Sequence, residues 1–223
     1  MKPSTLVFDY DGTLHDSMYV YADAFPAGYQ MLVDAGKARP RTFAREELER
    51  NLGLNVFEAW ARLAPEIPWE VAEPAALHVK DVMLQAVAAG KARLYDGVPQ
   101  MLDAVKAAGH TLVFLSNCAT EYQEAARKAF GLDQWFSGYY NAQQFDYAPK
   151  EEIFKSIERD FEGPFIAIGD RHKDIALSAA HSLPCIGCLY GFGTPEELAD
   201  ATELAHAPAD IPALVARIEA ARA

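Results

Sequence analysis

Cysteine is scarce: the 223 residues contain three, Cys118, Cys185 and Cys188. A small, odd number excludes a disulfide-built scaffold and fits a reducing compartment, so a cytoplasmic protein is expected. Cys185 and Cys188 form a C-x-x-C within PCIGC. No second Cys or His pair accompanies them and their surroundings read as a buried strand, so zinc is not expected there. No apolar run approaches the roughly 20 residues that a membrane span needs, and Met1 to Val7 has no apolar core of a secretory leader. Basic charge is also short, with 20 Lys+Arg against 32 Asp+Glu and a net charge of -12. That balance argues against a nucleic-acid polymer or a membrane surface as partner. A local cation cluster could still hold a small anion. There is no Walker loop, no G-x-G-x-x-G and no internal repeat, and the histidines show no paired ligand spacing.

What remains is an ordinary globular composition, 51% hydrophobic and 23% charged, in a chain long enough for one good core and a substantial insertion. Thr5–Phe8 reads as a buried parallel strand that stops at a turn, Asp11-Gly12. From Ser17 to about Leu94 the pattern is helical throughout. Tyr21, Phe25, Tyr29 and Leu32 recur at helical spacing, as do Val56, Phe57, Trp60 and Leu63. Pro40, Pro65, Pro68 and Pro74 punctuate these segments. After Leu94 strands alternate with helices: a helix over 98–108, a strand over 111–115, a helix over 121–130 and a short strand over 136–140. A helix over 150–159, a strand over 164–168, a helix over 174–181 and a strand over 185–189 follow. Thr194-Pro195-Glu196-Glu197 reads as a capping box opening one more helix. This alternation predicts an α/β fold, a doubly wound parallel sheet. The expected division is a core of residues 1–16 and 94–223 with an all-helical insertion over 17–93.

Ligands of such sheets bind at the carboxyl ends of the strands, and the unusual polar residues fall there. Asp9-Tyr10-Asp11-Gly12-Thr13 follows the first strand, Ser116-Asn117 the second, and Gly169-Asp170 a later one. Lys150 opens a helix. Asp174 lies four residues beyond Asp170, so a helix starting there would bring both carboxylates to one face. Carboxylates crowded in this way need a cation. An all-oxygen set favours magnesium, and with Lys150 and the Ser116 hydroxyl it also suits a phosphoryl group. A calcium loop is excluded, because Gly12-Thr13-Leu14 lacks the later oxygen ligands.

With D-x-D-G-T at Asp9 to Thr13 followed by L-x-D-S at Leu14 to Ser17, the chain resembles the haloacid dehalogenase superfamily. The likeness is to its phosphatases with a helical cap, such as phosphoglycolate phosphatases, and it covers nearly the whole chain. The resemblance implies that Asp9 is the nucleophile and Asp11 the general acid/base. It implies that Ser116, with Asn117, and Lys150 hold the phosphoryl group. Magnesium would be bound by Asp9, Asp170, Asp174 and the backbone carbonyl of Asp11. The family's substrate-selecting cap loop matches Asn51 to Asn55, making Leu54 and Asn55 candidate substrate contacts. Two positions depart from the family pattern. Arg171 stands where many relatives have serine or threonine, and would reach the substrate or a cap carboxylate. Lys150 is preceded rather than followed by proline, with Lys155 as the alternative. Lys37, Arg39, Arg41 and Arg45 form a basic cluster expected to be a solvated face.

The function so implied is magnesium-dependent hydrolysis of a small phosphorylated metabolite, such as phosphoglycolate or a nucleoside monophosphate, through an aspartyl-phosphate. The alternatives are a sugar phosphomutase (β-phosphoglucomutase-like), a phosphonatase using a cap lysine such as Lys37 or Lys80, and a non-catalytic binding protein. Dehalogenation is disfavoured by the presence of Asp11.

Overall fold

The computed structural model describes residues 2–222, so Met1 and Ala223, the outer limits of the expected core segments, lie outside the described residues. Strands β1 (Thr5–Phe8), β2 (Thr111–Ser116), β3 (Phe136–Asn141), β4 (Phe165–Gly169), β5 (Cys185–Cys188) and β6 (Glu203–Ala205) form one parallel sheet. Its order is β3-β2-β1-β4-β5-β6. The winding reverses between β1 and β4, which opens a crevice at their carboxyl ends.

The first four helices after β1 form the insert: α1 (Met18–Asp34), α2 (Arg45–Glu49), α3 (Val56–Leu63) and α4 (Trp69–Ala88). The rest of the chain adds α5 (Val98–Ala107), α6 (Thr120–Phe130), α7 (Lys150–Asp160), α8 (His172–His181) and α9 (Ile211–Ala220). Strand side chains alternate between faces. Leu6, Phe8, Leu112, Phe114, Ile166 and Ile168 pack with α5, α6 and α9, while Val7, Val113, Leu115 and Ala167 pack with α7 and α8. Both faces being covered explains why these strands are near-continuous apolar runs. Cys185 and Cys188 are both buried in this core, and all three cysteines are free of disulfides.

The predicted stripe Tyr21, Phe25, Tyr29 and Leu32 anchors a second apolar cluster, joined by Trp60, Leu63, Ala72, Ala75 and Val79. The insert's two ends are stitched together: the Asp16 N–H donates to Arg93 O at 3.0 Å and the Tyr95 N–H to Leu14 O at 3.0 Å. Among the described residues no helix is long and apolar enough to cross a membrane.

Four local expectations are corrected. Pro74 lies inside α4 instead of ending a segment. It forfeits one intrahelical bond, and the burial of Ala72, Ala75, Ala76 and Val79 in the same helix offsets that loss. Helix α8 starts at His172, two residues early, with Arg171 as its N-cap, so Asp170 lies between strand and helix and does not share a helical face with Asp174. The capping box at Thr194 is made, with the Glu197 N–H donating to Thr194 Oγ1 at 3.2 Å and the Thr194 N–H to Glu197 Oε2 at 3.1 Å. Only turns follow it. Leu198 is buried and the chain must reach β6 by Glu203, which leaves no length for a helix. Finally, β6 and α9 lie beyond the last element that was expected.

Candidate active site

Register brings the site together. Phe8 stands opposite both Phe114 and Ile168, so the residues that follow the three strands emerge at one edge of the sheet. Asp9 and Asp170 lie in the crevice at the winding reversal. A Cβ on Gly12 would land on the Asp170 carboxylate, and Gly12 has a φ of 87°. The glycine of D-x-D-G-T is thus required for both its backbone and its space.

Asp9, Asp170 and Asp174 offer carboxylate oxygens all within 4.8 Å of one another, and all three residues are buried. Lys150 is 2% exposed, and its Nζ lies 2.8 Å from Asp9 Oδ1 and 2.7 Å from Asp174 Oδ1. Burial pulls the ammonium towards the neutral form, but Asp174 and Asp9 outweigh it and hold the pKa above the ordinary lysine value. Burial also raises the Asp9 carboxyl from 3.8 to about 7, with Asp174 and Asp11 adding to the rise and Lys150 opposing it. Asp170 is pushed well above its ordinary value by burial, then by Asp9 and Asp174. It accepts the Phe192 N–H at 2.7 Å and the Thr13 hydroxyl at 3.4 Å. Asp174 accepts the Arg171 N–H at 3.1 Å through its second oxygen, a capping bond that fixes the carboxylate beside Lys150. Lys155, the alternative lysine, is exposed and pairs with Glu152 at 2.5 Å.

Asp11 is held differently. Its Oδ1 accepts from Ser17 Oγ at 2.5 Å and from Tyr122 OH at 3.2 Å, and lies 3.3 Å from His15 Nδ1. All three contacts fall on Oδ1. His15 is fully buried and stacked on Tyr10 at 4.9 Å. Ser17 belongs to the L-x-D-S motif, whereas His15 and Tyr122 were not among the expected site residues. A histidine four residues after Asp11 was a signal, whereas Tyr122 arrives from another helix without one.

Ser116 is buried at the end of β2. Asn117 donates from Nδ2 to Gly53 O at 2.8 Å. Arg171 does not pair with a carboxylate of the helical insert. Its guanidinium donates to the carbonyls of Leu52 and, at 3.4 Å, Arg50, and to Glu197 Oε1 at 3.1 Å. The Asn51–Asn55 loop is therefore fastened over the crevice from the sheet side. Lys173 adds a pair to Glu58 at 2.6 Å. Leu54 lines the cavity below the loop. Asn55 caps α3 by accepting the Glu58 N–H at 3.0 Å. In the basic cluster, Lys37 and Arg39 are exposed, while Arg41 and Arg45 pair with Glu47 and Glu49. Lys80 pairs with Glu121.

A cavity of about 380 Å³ runs from Asp11 and Asn117 into the helical insert. Chemically, the floor is an anionic cradle with one fixed cation, and the roof is a separate, largely apolar chamber.

Residues 3–181 match the model of the haloacid dehalogenase-like hydrolases. A 5'-nucleotidase of Pseudomonas aeruginosa is 32% identical over 127 residues, a stretch spanning 55% of this chain and 57% of that relative. A phosphoglycolate phosphatase of Psychrobacter arcticus is 26% identical over 207 residues, 89% of this chain and 88% of that one. A solved structure, described as a predicted phosphatase from Clostridium acetobutylicum, superimposes with a TM-score of 0.84 at 20% identity. That match covers 97% of this chain and all of the other. The chain belongs to the haloacid dehalogenase-like hydrolases, and the enzyme is a phosphatase of that family.

Proposed function

We propose that the protein is a magnesium-dependent phosphatase that hydrolyses a small phosphomonoester through a phosphoaspartate on Asp9. The observation carrying this is the buried Asp9, Asp170, Asp174 cradle, with Lys150 bonded to two of its members. Three carboxylates against one ammonium leave the site short of positive charge, and uncompensated buried charge is costly. Burial first, and then the neighbouring carboxylates, raise Asp9 and Asp170. A divalent cation fits it, and an all-oxygen set favours magnesium. Asp9, Asp170 and Asp174, with the Asp11 carbonyl, would hold the ion. When bound, it would stabilise charge on the transferring phosphoryl group.

The residues divide the displacement into two steps. A carboxylate oxygen of Asp9 attacks phosphorus, and the departing oxygen takes a proton from Asp11. Asp11 then accepts a proton from water, which attacks the same phosphorus, returning Asp9 as a carboxylate and releasing inorganic phosphate. Lys150 orients Asp9 and neutralises the phosphoryl oxygens, with Ser116 and Asn117 as further donors. The contacts of Ser17, His15 and Tyr122 with Asp11 Oδ1 support its role, since a group handling protons at both steps needs a fixed position. We take residues 17–93 as a cap over the core of 1–16 and 94–223. Its substrate would be a phosphoglycolate-like compound or a nucleoside monophosphate. The free thiols suit the cytoplasm.

The test is phosphate release from a panel of small phosphomonoesters, with and without magnesium. Asp9→Asn is expected to lower kcat at least about a thousandfold while leaving Tm unchanged or higher. Retained turnover would remove Asp9 from its role. Isomerised sugar phosphate without phosphate release would establish a mutase instead.

A further inference from the structure

The chamber above the cradle is built unlike the cradle. Phe57 of α3, Trp69 of α4 and Tyr147 of the loop before α7 line it together. The Phe57 ring centroid lies 4.5 Å from Trp69 and 4.9 Å from Tyr147. Phe57 and Leu77, both lining residues, are left 41% and 53% exposed. Apolar surface held open beside a reactive centre marks a place where a ligand completes the packing. Charge points the same way. Lys80 is the one cation among the lining residues, and Glu121 already pairs with it, whereas Asp11 and Glu73 are also on the wall. A leaving group carrying a carboxylate would enter an acidic chamber with no free cation to meet it.

One polar feature is unfinished. Asn51 lines the cavity and is 2% exposed. Its Nδ2 donates to Tyr21 OH at 2.7 Å, and its Oδ1 has no partner among the described residues. A buried acceptor without a donor is costly unless a ligand supplies one.

We propose that the leaving group of the substrate is uncharged, carries an aromatic or heteroaromatic ring for the Phe57, Trp69, Tyr147 cluster, and presents an N–H or O–H to Asn51. Those are the properties of a nucleoside monophosphate and not of a phosphorylated hydroxy acid. The proposal rests on the phosphatase reading above and narrows it. At about 380 Å³ the chamber falls within the range that encloses a ring-bearing small molecule.

The experiment separates binding from turnover. Asp9→Asn protein with magnesium is titrated calorimetrically with uridine 5'-monophosphate, ribose 5-phosphate and 2-phosphoglycolate. The ring is expected to tighten binding about tenfold or more over ribose 5-phosphate, the order expected for stacking on aromatic side chains, with 2-phosphoglycolate weakest. Adding Phe57→Ala or Trp69→Ala should abolish that advantage while leaving ribose 5-phosphate unchanged, and Trp69→Phe should restore most of it. Equal affinities, or tighter binding of 2-phosphoglycolate, overturn the proposal. Native enzyme that binds the nucleotide yet releases no phosphate overturns the phosphatase reading instead, and the titration still decides the pocket.

Discussion

The floor and the roof of the crevice solve opposite problems. The floor concentrates like charge in a buried place, where Lys150 touches both Asp9 and Asp174, and backbone N–H groups fix Asp174 and Asp170. The roof gathers apolar side chains from α1, α3 and α4 and leaves part of that surface open. Buried electrostatics tolerate little displacement, because each partner's removal strands a charge. Apolar contact is non-directional and scales with area, so the roof can vary its shape while the floor cannot. On the proposed mechanism, chemistry belongs to the strand ends and selection to the helical insert.

The sharpest break in this contrast is at Lys150. Lys150→Ala is expected to lower kcat by at least about 100-fold, as for loss of a charge-stabilising donor, and to destabilise the metal-free fold by about 3–5 kcal/mol. Lys155→Ala should do neither. Chemical denaturation beside steady-state kinetics checks both, and the reverse pattern would reassign the phosphate-binding lysine.

Magnesium and pH come next. With Asp9 raised from 3.8 to about 7, the metal-free native state keeps a proton that the unfolded chain releases between those values. Its contribution to stability is complete below about pH 4 and is lost as pH rises through about 7. Metal binding requires the carboxylate form. Magnesium should therefore raise Tm more at pH 8 than at pH 5, and calorimetric scans with and without metal read this directly. An equal gain at both pH values would remove Asp9 from the metal set.

The smallest effect sharpens the boundary between the two regions. Arg171→Lys keeps the charge but loses the planar fork that spans Leu52, Arg50 and Glu197. We expect KM to rise several-fold, with stability lowered by about 1–3 kcal/mol and kcat little changed. A fall in kcat alone would place Arg171 at the chemistry.

The two regions were also unequally legible. Asp9, Ser116 and Asp170 could be read because each interrupts an apolar run where a parallel strand must end, and the structure gathers them at one sheet edge. The carboxylate pairing was read through the wrong device. Asp174 reaches the cluster as an N-terminal capping residue, not by sharing a helical face with Asp170. The partners of Asp11 were mostly out of reach, since Tyr122 meets it across 111 positions of sequence. Arg171 was expected at the substrate or a cap carboxylate, but from the insert it takes main-chain carbonyls, which a sequence does not distinguish from one residue to the next, and its carboxylate partner is Glu197. The chamber was invisible for a similar reason. Helical periodicity marks which face is apolar, not whether neighbouring faces meet or leave a gap.

The stitch at the insert's base has a consequence for how such a chain can change. Asp16 bonds to Arg93 and Leu14 to Tyr95, so the main chain leaves the sheet and returns to it at one place. Beyond this point the insert meets the sheet's apolar cluster through a few side chains, Val20 and Val87 among them. Helices could be lengthened, exchanged or removed there without shifting the pairing of β1 with β2, as domain insertions are tolerated where chain ends lie close together. The protein is built like a tool with a fixed edge and an interchangeable grip: two main-chain hydrogen bonds close the joint, and the side chains of Asn117, Arg171 and Lys173 brace it.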